Sequence, residues 1–168
     1  MWMWTDGSKF DYQAWGPGEP NNNGRTEHCV EMNWRGPACP PDWTQFGSHC
    51  YLFNYIVKPW IDAEAVCIYL GGNLASVHSA DENAFLRDYI QRMTGARVHT
   101  WIGGFDAVQE GRWQWSDGSA FDYKRWSIGE PNNLGTEHCI EMNWGGNYWN
   151  DSRCYYAKHF VCVRDASQ

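Results

Sequence analysis

Between Trp60 and Leu70 the chain reads Trp-Ile-Asp-Ala-Glu-Ala-Val-Cys-Ile-Tyr-Leu, and Gly71-Gly72 follows. Apolar positions are frequent and no proline intervenes, so the pattern predicts a helix over 60–70, stopped by the glycines. A second helix is predicted after Ser79, with Glu82 three residues on completing a capping box. Phe85, Tyr89 and Met93 recur at a spacing of four, with Leu86 and Ile90 beside them, which defines one apolar face. Upstream, Cys39 to Phe53 sets Pro40, Pro41 and Gly47 between aromatic residues, the pattern of a short hairpin. Leu74 to Val77 reads as a short strand. Beyond Trp101 the helical period disappears, and short aromatic segments alternate with Gly/Asn/Pro loops. Two helices followed by irregular β structure predict an α+β domain.

The chain also repeats itself. Residues 2–36 and 113–146 share Asp-Gly-Ser, Phe-Asp-Tyr, Gly-Glu-Pro-Asn-Asn and Thr-Glu-His-Cys elements in the same order. Roughly two-thirds of the aligned positions are identical, far beyond chance. The first copy ends at Gly36-Pro37, whereas Gly146 runs on into Asn147-Tyr-Trp-Asn-Asp151. Residues 1–36 therefore read as a partial repeat, and 37–168 as the domain proper.

Composition narrows the function. The 168 residues include 12 Trp, and aromatic residues make up 17% of the chain. That abundance suits a loop-rich fold with a small core, where an indole ring covers much area and its N–H finds a carbonyl. A net charge of −7 argues against nucleic acid and acidic membranes as partners. No apolar run approaches the length of a membrane span. Seven dispersed cysteines without a Cys-x-x-Cys pair point to disulfides in an oxidising compartment rather than to a zinc ribbon. The start, Met1-Trp-Met-Trp, has neither the basic region nor the apolar run of a leader, so the expectation of secretion rests on the cysteines.

The chemistry concentrates in Gly129-Glu-Pro-Asn-Asn-Leu-Gly-Thr-Glu-His-Cys139 and in Trp149-Asn-Asp151. Glu130, Asn132, Glu137, Asn150 and Asp151 supply carboxylate and amide oxygens, the donor mixture that calcium takes. A cis peptide before Pro131 would turn Glu130 and Asn132 to the same side. Singly, such segments mean loops and a solvated acidic face; the complete five-residue set argues for a site. His49, His78, His99, His138 and His159 have no Ser or Cys nucleophile at a telling spacing, so no enzyme is expected. Trp101, Trp126, Trp144 and Trp149 read as core aromatics. Asn150-Asp-Ser152 matches a glycosylation sequon, and a glycan there would abolish a site that used Asn150, so it is expected to be unmodified.

Glu130-Pro-Asn132, Trp149-Asn-Asp151, Trp101-Ile-Gly-Gly104 and the six cysteines from Cys39 onward together resemble the C-type lectin family. The match is to its long form, and the flavour is similar to soluble fish lectins and calcium-dependent type II fish antifreeze proteins. The resemblance implies two helices with small antiparallel sheets, a long calcium-binding loop, and disulfides Cys39–Cys50, Cys67–Cys162 and Cys139–Cys154. It implies Ca²⁺ held by Glu130, Asn132, Glu137, Asn150 and Asp151, with sugar hydroxyls completing the shell and Leu134 against the sugar. The donor order of Glu-Pro-Asn implies mannose, fucose or N-acetylglucosamine, on microbes or host glycoproteins, in a secreted protein of innate immunity. An auxiliary calcium would take Asp106, Glu110 and Asn133, but His138 stands where an Asp is usual and imidazole is a poor calcium ligand. The partial repeat carries Glu19, Asn21 and Glu27 without a following Trp-Asn-Asp, and its Cys29 is the odd cysteine, open to an inter-chain disulfide and a dimer. The rival expectations are an ice-binding protein of the same fold and a protein-binding domain that keeps the motif.

Overall fold

A computed structural model describes Trp15 and residues 39–166. The partial repeat, with Glu19, Asn21, Glu27, Cys29 and the dimer expected through it, lies outside the described residues. The described chain opens with the predicted hairpin, β1 (Thr44–Phe46) and β2 (His49–Lys58), turned at Gly47 with a positive φ of 58°. Helix α1 covers Trp60–Tyr69 and buries Trp60, Ala63, Glu64 and Cys67. The strand expected at Leu74 to Val77 is shorter and earlier, β3 (Asn73–Leu74). Glu64 explains its position, because its carboxylate accepts from Leu74 N at 2.7 Å and Asn73 Nδ2 at 2.6 Å.

Helix α2 covers Ala80–Thr94. Ser79 caps it, its hydroxyl accepting from Glu82 N at 3.1 Å. Glu82 reaches back one residue further than a capping box requires, to His78 N at 2.6 Å. Gly95 closes the helix in the left-handed region, φ 75°, where a side chain would be strained. Leu86, Tyr89 and Ile90 are buried, with Phe85 and Met93 packed against the same core.

The remaining strands are β4 (Thr100–Phe105), β5 (Gln114–Trp115), β6 (Cys139–Trp144), β7 (Tyr148–Ser152) and β8 (Lys158–Asp165). They differ from the expected small antiparallel sheets in one respect. All join one connected mixed sheet in the order β1-β2-β8-β4-β6-β7, with β3 on β8 and β5 on β4, and the β4–β8 pair is parallel. The last strand thus inserts at the centre, a return that no local period announces. Cys67–Cys162 fastens α1 to it, Cys39–Cys50 ties the start to β2, and Cys139–Cys154 ties β6 to the turn after β7.

The Trp101-Ile-Gly-Gly segment is structural. A Cβ on Gly103 would lie 2.6 Å from Leu74 O, and one on Gly104 would collide with Ile140 Cδ1. Trp101 is fully buried and donates to Lys58 O at 3.0 Å and to Tyr156 O at 3.2 Å. Trp149 is also fully buried, donating to Asn83 Oδ1 at 2.8 Å, and Trp126 packs on its edge. Trp144 departs from the expectation: it ends β6 at the surface, 38% exposed, beside the His99 ring. A side chain at the last position of a strand lacks the facing layer that would cover it.

Candidate functional site

The long segment between β5 and β6 lies against β7, and Asp151, near the end of that strand, makes the junction. Its carboxylate accepts from Asn132 N at 3.0 Å and from Asn133 N at 2.7 Å. One buried side chain therefore fixes two successive loop amides. The loop then closes on itself. Leu134 N donates to Asn132 Oδ1 at 2.8 Å and to Glu137 Oε2 at 3.1 Å, and Glu137 N donates to Asn133 Oδ1 at 2.8 Å. The Glu130–Pro131 peptide is cis, as expected. Asn133 and Thr136 hold positive φ values of 50° and 70° inside this closed turn.

Asn150 is 6% exposed, and its Nδ2 donates to Glu141 Oε1 at 2.8 Å. An amide that donates from nitrogen there keeps its oxygen for the other side. Glu141 is itself buried and ion-paired to Lys158 Nζ at 2.8 Å, with His99 Nδ1 at 3.3 Å. Sequence reading did not single out Glu141. Its cross-strand register with Asn150, together with Lys158 on β8, is what makes it an orienting group. The same bond occupies the amide nitrogen to which a glycan would be joined, so the sequon at Asn150 is presented inward.

The electrostatics describe a place that wants a cation. Burial raises the Glu130 carboxyl above its usual range, and the hydrogen bond and charge of Asp151 and the charge of Glu137 add to the rise. Glu137 is raised by burial and then by Asp151, while the Leu134 amide and Arg153 pull it back. Glu130 Oε2 is buried and has no hydrogen-bond partner among the described residues. An unsatisfied buried carboxylate oxygen is costly. A divalent ion bound by oxygens removes that cost, so the donor set fits calcium. Leu134 stands 70% exposed on the rim of the loop. Arg153 lies along the glycine side of it: a Cβ on Gly135 would come within 2.5 Å of its Nη2.

The auxiliary residues divide. Asp106, Glu110 and His138 converge, with one donor atom from each lying within 4.8 Å of the others. Asn133 instead spends its Oδ1 on the Glu137 amide. A further cluster joins a serine and a histidine that no sequence spacing connects. Ser119 Oγ is 3.1 Å from His78 Nε2, and His78 Nδ1 is 2.8 Å from Asp122 Oδ1. The Ser119 hydroxyl is also bonded to Asp117 Oδ1, and the Ser119 amide donates to that same oxygen at 2.9 Å. The carboxylate competes with His78 for the hydroxyl proton, and the nearby amide that would face an oxyanion is spent, so the cluster is a turn lock rather than a relay.

Comparison with known proteins agrees with this layout. The Lectin C-type domain model matches residues 56–164. Ladderlectin of Oncorhynchus mykiss is 52% identical over 133 residues, 78% of this chain and 70% of its own length. The galactose-specific lectin nattectin of Thalassophryne nattereri is 45% identical over 129 residues, 76% of this chain and 81% of its own. Among solved structures, the herring type II antifreeze protein superposes with a TM-score of 0.71 at 38% identity, covering 76% of this chain and 98% of that one. The family and its lectins are non-enzymatic carbohydrate-binding proteins. The α+β architecture, the three disulfides and the motifs at Glu130 and Trp149 have one common explanation: the chain belongs to the C-type lectin family.

Proposed function

We propose that this domain binds glycans through a calcium ion held by Glu130, Asn132, Glu137, Asn150 and Asp151. The observation that carries the reading is the buried Glu130 Oε2 beside Asp151 and Glu137, without a hydrogen-bond partner among the described residues. Two vicinal hydroxyls of the sugar complete the ion's shell. Each accepts from an amide and donates to a carboxylate: Glu130 offers only acceptors and Asn132 an N–H₂ donor. That order supports an equatorial pair of the mannose, fucose or N-acetylglucosamine kind. Leu134 packs on the apolar face of the ring. The relative nattectin is named galactose-specific, so selectivity is the point to test. Retention on mannan-agarose, release by a chelator, and stronger competition by mannose than by galactose are expected. Retention that survives the chelator defeats the calcium reading, and stronger competition by galactose defeats the assigned sugar class.

The three disulfides support an oxidising, extracellular setting, and no helix among the described residues is long and apolar enough to cross a membrane. Glycans on microbial or host glycoproteins are the partners proposed. A single sugar contact is weak, so several copies engaged together would supply the avidity. The likeness to the herring protein favours ice as a second reading, through the same loop. Thermal hysteresis with calcium present and absent separates the two: hysteresis without mannan retention would select ice.

A further inference from the structure

The corner beside the long loop has a different donor chemistry. Asp106 is a buried carboxylate, its side chain 0% exposed, at the end of β4. Its Oδ2 accepts from Gly111 N at 2.7 Å, which closes the 106–111 turn, and its own amide donates to His138 O at 3.1 Å. The turn is thereby fastened to the segment entering β6. Asp106 Oδ1 faces His138 Nδ1 at 2.9 Å, and Glu110 Oε2 faces the same nitrogen at 3.3 Å.

These donors do not fit calcium. Calcium takes about 6–8 oxygens, whereas this corner offers two carboxylates and a nitrogen, with Asn133 Oδ1 already engaged by the Glu137 amide. They do fit a smaller, borderline ion. Zinc binds imidazole nitrogen and carboxylate oxygen at about 2.0–2.2 Å in a tetrahedron, whose ligand–ligand edge is about 3.3 Å. Of the two contacts to His138 Nδ1, the one from Glu110 matches that edge and the one from Asp106 is shorter. Glu110, 54% exposed, leaves the fourth position open to water. Imidazole selects zinc, copper or nickel over calcium.

We propose that Asp106, Glu110 and His138 form a transition-metal site, with zinc as its test ion, separate from the calcium-binding loop. The site is independent of what the loop binds. Its ligand His138 follows Glu137 directly, so the ion would brace the segment that enters β6.

The test is a zinc titration of the full chain by calorimetry in saturating calcium, beside His138→Ala and His138→Asp. The wild type is expected to take up one zinc that both variants weaken at least tenfold. His138→Asp restores an oxygen donor and is expected to gain one calcium per chain. Near-ultraviolet dichroism and mannan retention check each variant's fold without reference to zinc. No zinc uptake by the wild type, or uptake that neither variant changes, overturns the site. Failure of mannan retention with zinc uptake intact counts against the calcium loop alone.

Discussion

Glu137 and His138 are consecutive residues that serve two corners built on opposite principles. The Glu137 corner gathers three carboxylates, of which Glu130 and Glu137 are raised, and leaves a buried oxygen without a partner among the described residues. The His138 corner carries its own nitrogen, which bonds Asp106 Oδ1 and lies 3.3 Å from Glu110 Oε2. The comparison shows how one side chain sets ion preference. A third carboxylate makes a hard oxygen site, and an imidazole in its place makes a nitrogen-bearing one.

The largest effect is expected from Asp151→Ala. It removes a proposed calcium ligand and the acceptor of the Asn132 and Asn133 amides, so mannan binding should fall at least a hundredfold while the disulfide-bonded fold persists. Retention within tenfold of wild type would break the contrast, since the loop would then not depend on a carboxylate at its base. Next comes Glu141→Ala, which strands Lys158 and unfixes Asn150. Removing one partner of a buried ion pair costs about 3–5 kcal/mol, read as a lower denaturation midpoint, and calcium affinity should drop with it. The exchange Glu130→Gln with Asn132→Asp keeps the oxygens but reverses the donor order. It should turn mannose preference toward galactose in a competition assay, with calcium binding retained.

Acid offers a gentler probe. Calcium and protons compete for Glu130 and Glu137, so retention is complete above their raised range and lost as pH falls through it. Because both carboxyls are pushed up, the loss should begin at a higher pH than an ordinary Glu would give. Folding of the chelated protein has the opposite sign. A raised carboxyl weakens stability as pH climbs from the ordinary range through the raised one, so its melting point should fall there, and calcium should abolish the fall. The smallest effect is expected from Arg153→Ala. This half-buried cation helps hold Glu137 down, and its loss should move half-retention slightly upward in pH. A downward move would show that the arginine acts otherwise.

Much of this was legible early, for reasons of range. The cap at Ser79, the 60–70 helix and a hairpin around Gly47 are written in a few neighbouring residues each; the cap and the helix formed within a residue of their expected place, while the hairpin expected over 39–53 runs over 44–58. The five proposed calcium ligands were readable because they fall in two short motifs. The capping-box return to Ser79 failed because Glu82 found the His78 amide instead, a choice between adjacent donors that sequence does not rank.

The sequence by itself determined the family, the helices, the ligand-bearing motifs and the acidic, disulfide-rich character of the protein. Only the tertiary structure decided what meets what. It ran β8 parallel to β4 through the middle of the sheet, set Glu141 between Asn150 and Lys158, and brought Ser119 to His78 across 41 residues. It also gave Asn133 Oδ1 to the Glu137 amide and set His138 against Asp106. These pairings join residues far apart in the chain, and their energy comes from burial and satisfied polar groups. No local period records that energy, because it exists only once the strands have closed around it.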